Sequence, residues 1–195
     1  GWWEAYDGVL PDWFGLYVGL EASADRIRTY EAELVPGLLQ TPGYARAVCH
    51  ASRPTDGEQA LARRVRLRME RQQAVFSRTR PPRIEAVLGA GVLARRVGSA
   101  RVMAEQVAHL REQACLGHAD IRVLPWDAGA HSAMEGPFVL LDFENTDDPP
   151  TVYLEAAVGC RYAEKAAVVA DYRRVFDLVY KQTIPIGDYQ STIGE

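Results

Sequence analysis

The segment Leu34-Val35-Pro36-Gly37-Leu38-Leu39-Gln40-Thr41-Pro42-Gly43-Tyr44-Ala45 restricts the fold more than any other stretch of the chain. Pro36 presets the first residue of a turn and Gly37 can supply the positive φ that follows, so this pair reads as a turn cutting an apolar run. Thr41 offers its hydroxyl as an N-cap, and Pro42 takes the first helical position, where its missing N–H costs nothing. An extended arm must therefore lead into a capped helix. Any architecture has to accommodate that strand-to-helix passage early in the chain.

The remaining periodicities fill in the elements. Trp3, Tyr6, Leu10, Trp13 and Tyr17 recur at three- and four-residue steps and predict a helix interrupted at Pro11. Residues 17–26 read as helical and residues 27–39 as a strand entering the Pro36-Gly37 turn. Helices are expected over residues 42–51 and 58–78, the second presenting Leu61, Val65, Met69, Gln72 and Phe76 on one face. Pro81-Pro82 stops it. Residues 83–93 form either a strand pair around Gly89-Ala90-Gly91 or one bulged strand. Gly98-Ser99 opens a helix over residues 100–116 with Met103, Val107, Leu110 and Ala114 as its core face. Strands follow at 121–126, 138–143 and 151–158, and a helix over 163–182 turns Val168, Val169, Tyr172, Phe176 and Val179 inward. After Pro185 the polar tail is expected to fray. The fold class is α+β, with a mixed or antiparallel sheet of about five strands covered by helices on one face, in a single domain over residues 1–195.

Composition narrows the function classes. Apolar residues at 48% and charged residues at 25% suit a soluble globular chain. A formal charge of −4 argues against a surface given over to nucleic acid. Neither a bilayer-spanning run nor a signal peptide is visible, so a cytoplasmic location without membrane contact is expected. Cys49, Cys115 and Cys160 lie far apart with no CxxC spacing, so neither a disulfide framework nor a metal site is expected. GxSxG, HExxH, a Walker loop and a GxGxxG motif after a strand are all missing, and no cofactor is expected.

Three groups of residues could carry chemistry. The loop from Trp126 to Gly136 gathers Trp126, His131, Met134 and Glu135 ahead of Phe138, the mixture of apolar wall and few polar groups that small-molecule pockets use. His131 would titrate near neutral pH. Arg64, Arg68 and Arg71 form a stripe on the long helix that can hold an anionic ligand, a phosphate backbone or an acidic partner, or can simply be a solvated face. Glu21, Gln40, Tyr44 and Glu155 lie beside apolar segments, and a buried Glu21 or Glu155 would need Arg68 or Arg71 as its partner. Ligand-binding residues are thus expected at Trp126, His131, Met134 and Phe138, and at Arg68, Arg71, Gln40, Tyr44 and Glu155.

The arm segment, together with Trp2-Trp3, Tyr17-Val18-Gly19-Leu20-Glu21, Arg68-Met69-Glu70-Arg71-Gln72, Val123-Leu124-Pro125-Trp126 and Gly136-Pro137-Phe138, resembles the effector-like region that follows an Xre-type helix-turn-helix in actinobacterial transcriptional regulators, a family sometimes described as antitoxin-like. The chain departs from that pattern at Leu88-Gly89-Ala90-Gly91-Val92-Leu93, where an acidic stretch is usual; a family site using that carboxylate would lack it here. The resemblance implies a domain that senses a small molecule or a small partner protein and modulates DNA binding by an upstream module. The chain opens Gly1-Trp2-Trp3-Glu4 where a natural start would carry methionine, so the helix-turn-helix is expected to lie before it. A homodimer is expected, because helix-turn-helix proteins read paired half-sites. Two other readings stay open: a small-molecule enzyme using His131, Glu135 or Glu155 as acid or base, and an antitoxin-like module that masks a partner protein.

Overall fold

Three strands, Arg26–Glu31 (β1), Arg83–Gly89 (β2) and Ala119–Leu124 (β3), run parallel and adjacent at the centre of the sheet formed by the described residues. The computed structural model describes residues 14–145 and 147–190; the part of the aromatic helix expected over residues 2–13 lies outside them. Parallel neighbours require crossovers, and the chain supplies helices for both. Between β1 and β2 run Pro42–Ser52 (α2) and Glu58–Phe76 (α3), and between β2 and β3 run Ala90–Ala94 (α4) and Ala100–Cys115 (α5), after the opening helix Phe14–Ser23 (α1). Phe138–Asp142 (β4), Thr151–Glu155 (β5) and Cys160–Ala163 (β6) then extend the sheet antiparallel from β1, and Ala166–Tyr180 (α6) leads to the short Ile184–Pro185 (β7) beside β3.

The result is an α+β fold with a mixed sheet of seven strands in the order β6-β5-β4-β1-β2-β3-β7, rather than about five. The two extra strands are four and two residues long, too short to leave an alternating pattern. Helices cover both faces, not one. Tyr17, Tyr44, Val75 and Leu110 of α1, α2, α3 and α5 pack on Ile27, Ile84, Ile121 and Val139, whereas Val169, Phe176 and Val179 of α6 pack on Tyr30, Val87, Leu140 and Val152. Alternation along each strand assigns these two sets to opposite faces.

Local details confirm some expectations and correct others. Thr41 caps α2, its hydroxyl accepting from the Tyr44 N–H at 3.3 Å with Pro42 in the first turn, and Ser99 caps α5 in the same way. The strand before the arm ends at Glu31 instead of running to Leu39, and Gly37–Leu39 form a 3₁₀ turn. Gly37 is not among the positive-φ glycines. A Cβ there would stand 2.9 Å from Arg71 Nη2, so close approach rather than handedness accounts for this glycine. Residues 90–94, expected to be extended, form α4, a single helical turn packed against the carboxyl end of β1. The tail does not fray directly after Pro185: Ile186 and Tyr189 are buried, and the Ile186 N–H donates to the Ile121 carbonyl at 3.0 Å. No helix among the described residues is long and apolar enough to cross a membrane.

Candidate functional site

The long helix α3 turns a different face inward from the one its apolar residues predict. Leu61, Leu67, Arg71 and Val75 are buried, so the arginine stripe itself points toward the sheet. Each arginine on it meets a partner suited to its depth. Arg64 pairs with Asp56 at 2.6 Å near the helix start, Arg68 donates to Gln40 Oε1 at 2.7 Å, and Arg71 lies against Glu21 at 2.5 and 3.0 Å. The internal bridge expected for Glu21 therefore forms with Arg71. Glu21 is 1% exposed and accepts a further hydrogen bond from the Tyr17 hydroxyl at 2.8 Å, while the Arg71 guanidinium lies over the rings of Phe14 and Tyr17 at 5.3 and 5.4 Å. Such a buried pair is held by geometry: desolvation alone would expel it, and the two-point contact with the phenol's bond offsets that cost.

Around this bridge the arm is fixed by polar contacts. The Gln40 amide donates to the Val35 carbonyl at 2.7 Å, Gln72 donates to the Gly37 and Gln40 carbonyls at 2.8 Å each, and the Tyr44 hydroxyl accepts from the Val35 N–H at 3.2 Å. Gln106, fully buried on α5, donates to the Leu39 carbonyl and accepts from the Thr41 N–H, both at 2.8 Å. The arm has no neighbouring strand to satisfy its backbone, and these glutamines supply the missing ladder. Gln72 and Gln106 fall in apolar-looking positions of their helices, which is why periodicity alone does not single them out as polar anchors.

Between the arm, α1, α3 and the sheet lies a cavity of about 450 Å³. Arg68, Arg71, Gln40 and Glu155, four of the expected site residues, line it; Phe138 borders it at the start of β4 while its ring packs on the other face of the sheet, and Tyr44 braces the arm behind it. Leu38, Leu39, Ile27 and Val139 give it an apolar floor. Exposed Glu33, Pro137 and Glu155 stand at its mouth.

Three polar groups in the wall are incompletely matched. Arg68 is desolvated, which lowers its pKa, and among the described residues it has the neutral Gln40 amide instead of a carboxylate at bonding distance. The Tyr153 hydroxyl, on a side chain 3% exposed and stacked on Tyr17 at 4.1 Å, has no hydrogen-bond partner among the described residues. Burial and the neighbouring Glu155 charge push its phenol up. Glu31, at the carboxyl end of β1, is the third. Burial and, to a lesser degree, the Glu155 charge raise its pKa to about 8 against the opposing hydrogen bond with Thr29. The Thr29 hydroxyl lies 3.1 Å from Glu31 Oε1, to which it donates, and 3.3 Å from the Phe138 carbonyl as an alternative acceptor. Neither Glu31 nor Tyr153 stands out in the sequence: one ends a strand that appears to continue, and the other is an ordinary aromatic in an alternating run.

The loop at residues 125–136 is built differently. Ala133 is buried, the Ser132 hydroxyl donates to the Val175 carbonyl at 3.0 Å, and the Ala133 N–H donates to His131 Nδ1 at 3.2 Å. The small residues pin the loop, so its large ones face out: Trp126 is 69% and Met134 68% exposed. These two do not wall a pocket as expected. His131 stands edge-on to Tyr30 on the α6 side, where burial lowers its pKa, and Phe138 is buried there against Tyr172 and Phe176. Glu155 faces the cavity on the opposite side of the sheet and Glu135 is exposed on the loop, so the structure does not assemble His131, Glu135 and Glu155 into one site.

A domain of unknown function, DUF5753, matches residues 14–188, from the first turn of α1 past the end of β7. The chain belongs to the DUF5753 family. No curated protein matches it, and no solved structure does. Within this DUF5753 domain the cavity beneath the arm is the place where incompletely matched polar groups converge. It lies at the carboxyl end of β1, where the parallel part of the sheet meets the antiparallel strand β4.

Proposed function

We propose that this DUF5753 domain is a small-molecule sensor whose ligand occupies the cavity beneath the 32–41 arm, and that ligand binding there modulates DNA binding by an upstream helix-turn-helix module. The single observation that carries the sensing role is the Arg68 guanidinium, turned into a largely apolar cavity with a neutral amide for a partner. A half-buried cation bonded to a neutral amide, with carboxylates near but none paired to it among the described residues, is placed to take an anion. The regulatory half rests on resemblance: Tyr17–Glu21, the arm, the Arg68–Gln72 block, Val123–Trp126 and Gly136–Phe138 follow the order of the effector-like region of Xre-type regulators. Four of these blocks contribute residues to the cavity wall or brace it, which supports reading the family pattern as a binding site. Binding would act through the arm, because Gln40, Gln72 and Gln106 tie it to α3 and α5 at once. In this reading the regulator is a cytoplasmic homodimer.

A native mass spectrum of the freshly purified chain tests the sensing role. The expected result is a non-covalent mass of small-molecule size that disappears on denaturation and is lost from an Arg68→Met variant. A ligand retained undiminished by that variant would move the site elsewhere. A second reading, a module that binds a partner protein, is favoured by the outward Trp126 and Met134 on their pinned loop. Co-purification of a protein partner that is lost in Trp126→Ala, with an empty cavity, would favour it over the first.

A further inference from the structure

We infer that the ligand is a small monocarboxylic acid, its carboxylate on Arg68 and its apolar body on the floor formed by Ile27, Leu38, Leu39 and Val139. This rests on the cavity being the ligand site, and it assigns the chemical class that site accepts.

Charge bookkeeping around the cavity carries the argument. Arg71 is paired with Glu21 through two hydrogen bonds, so that pair presents no net charge. Glu33 is drawn away toward Arg95, with which it pairs on the surface. Glu31, whose pKa burial raises to about 8, adds little at neutral pH. What remains is the Arg68 cation inside and the Glu155 carboxylate at the mouth, which acts on Arg68 through space without pairing with it among the described residues. A guanidinium with no paired carboxylate has room for one negative charge. A dianionic phosphate would bring a second, next to Glu155 and to Glu31, whose carboxyl burial already holds above its ordinary range.

Geometry agrees. Gln40 Oε1 accepts from Arg68 Nη1 at 2.7 Å while the same amide donates to the Val35 carbonyl, so both ends of Gln40 are committed and the guanidinium is held in one orientation. A planar guanidinium fixed at one nitrogen still offers a fork to a planar carboxylate. The Tyr153 hydroxyl lies in the same wall, beside the Glu155 carboxylate that also acts on Arg68, and meets no well-formed hydrogen bond among the described residues, so it can turn to the acid as a further polar contact. A volume of about 450 Å³ lies in the range of small-ligand pockets.

Three probes on the full chain decide the class: benzoate, the neutral benzamide and phenyl phosphate, each titrated while the Arg68 side-chain N–H and the backbone amides of residues 35–41 and 152–155 are followed by nuclear magnetic resonance. Benzoate is expected to shift these signals saturably, with benzamide at least about tenfold weaker and phenyl phosphate no tighter than benzoate. Arg68→Met should weaken benzoate about tenfold, and Arg68→Lys should recover part of it; since the comparison of probes uses the unaltered chain, it stands even if a variant folds poorly. Equal binding of benzamide and benzoate in the cavity would overturn the acid class and leave the cavity as the ligand site. Tighter binding of phenyl phosphate would replace carboxylate by phosphate. Shifts from none of the three probes would overturn both the class and the site.

Discussion

The arm over α3 and the loop at residues 125–136 both attract attention in the sequence, yet they solve opposite problems. Beneath the arm, charged and amide side chains point inward: Arg71, Glu21, Gln40 and Gln106 are buried and bonded, and the arm's backbone depends on Gln40 and Gln106. In the loop, the small residues point inward and the large ones out, with Ala133 buried and Trp126 and Met134 in solvent. A cluster of chemically rich residues is therefore not a site by virtue of composition. What separates the two is whether neighbouring elements offer polar partners at depth, and only α1, α3 and α5 do so.

The largest expected effect lies in the arm's support. Glu21→Ala would leave the Arg71 guanidinium and the Tyr17 hydroxyl buried without their partner, and a loss of about 3–5 kcal/mol is expected in urea unfolding. A loss below about 1 kcal/mol would mean that water reaches the bridge and that the two regions differ less than claimed.

Glu31 sharpens the contrast through pH. Its carboxyl titrates near 4.5 unfolded and at about 8 in the fold, so the folded chain holds a proton the unfolded chain has released. The stability tied to that proton is full below about pH 4.5, falls as pH rises and is gone above about 8. Glu31→Gln, which keeps a donor for Thr29, should leave stability nearly unchanged at pH 4 and raise it by on the order of 2–5 kcal/mol at pH 9. Parallel stability curves for the two proteins across that range would show that Glu31 is ionised and solvated.

Gly37→Ala comes next. The added methyl would meet Arg71 Nη2, which the bridge prevents from yielding freely, and about 1–3 kcal/mol of destabilisation is expected by thermal unfolding. The smallest effect belongs to the loop. Trp126→Ala should change stability by no more than about 0.5 kcal/mol, because the ring is mostly in solvent and touches mainly the Gly91 turn. A cost comparable with that of Gly37→Ala would show that the loop is packed more firmly than its exposure indicates.

The sequence discloses a good part of the fold because its helix signals are strong. Thr41-Pro42 and Ser99 mark starts that the structure keeps, α6 buries Val169, Phe176 and Val179 as its spacing predicts, and a buried Glu21 could be expected to seek an arginine. The parallel centre was hidden because residues 90–94 carry glycines on both sides of Ala90 and read as extended, which masks the second crossover. The inward turn of α3 was hidden for a related reason: the helix's apolar residues are spread around it, and partners for its arginines come from α1 and the arm, far away in sequence. The site was half legible. Arg68, Arg71, Gln40 and Glu155 do meet at one cavity, but Glu31 and Tyr153 acquire their chemistry from burial alone, and burial has no signature in a single residue's identity.

The most direct test is a crystal structure of the chain grown with benzoate at saturating concentration. The account predicts a carboxylate paired with the Arg68 guanidinium beneath the arm, its ring on Leu38 and Val139. An empty cavity with benzoate seated instead against Trp126 and His131 would contradict it.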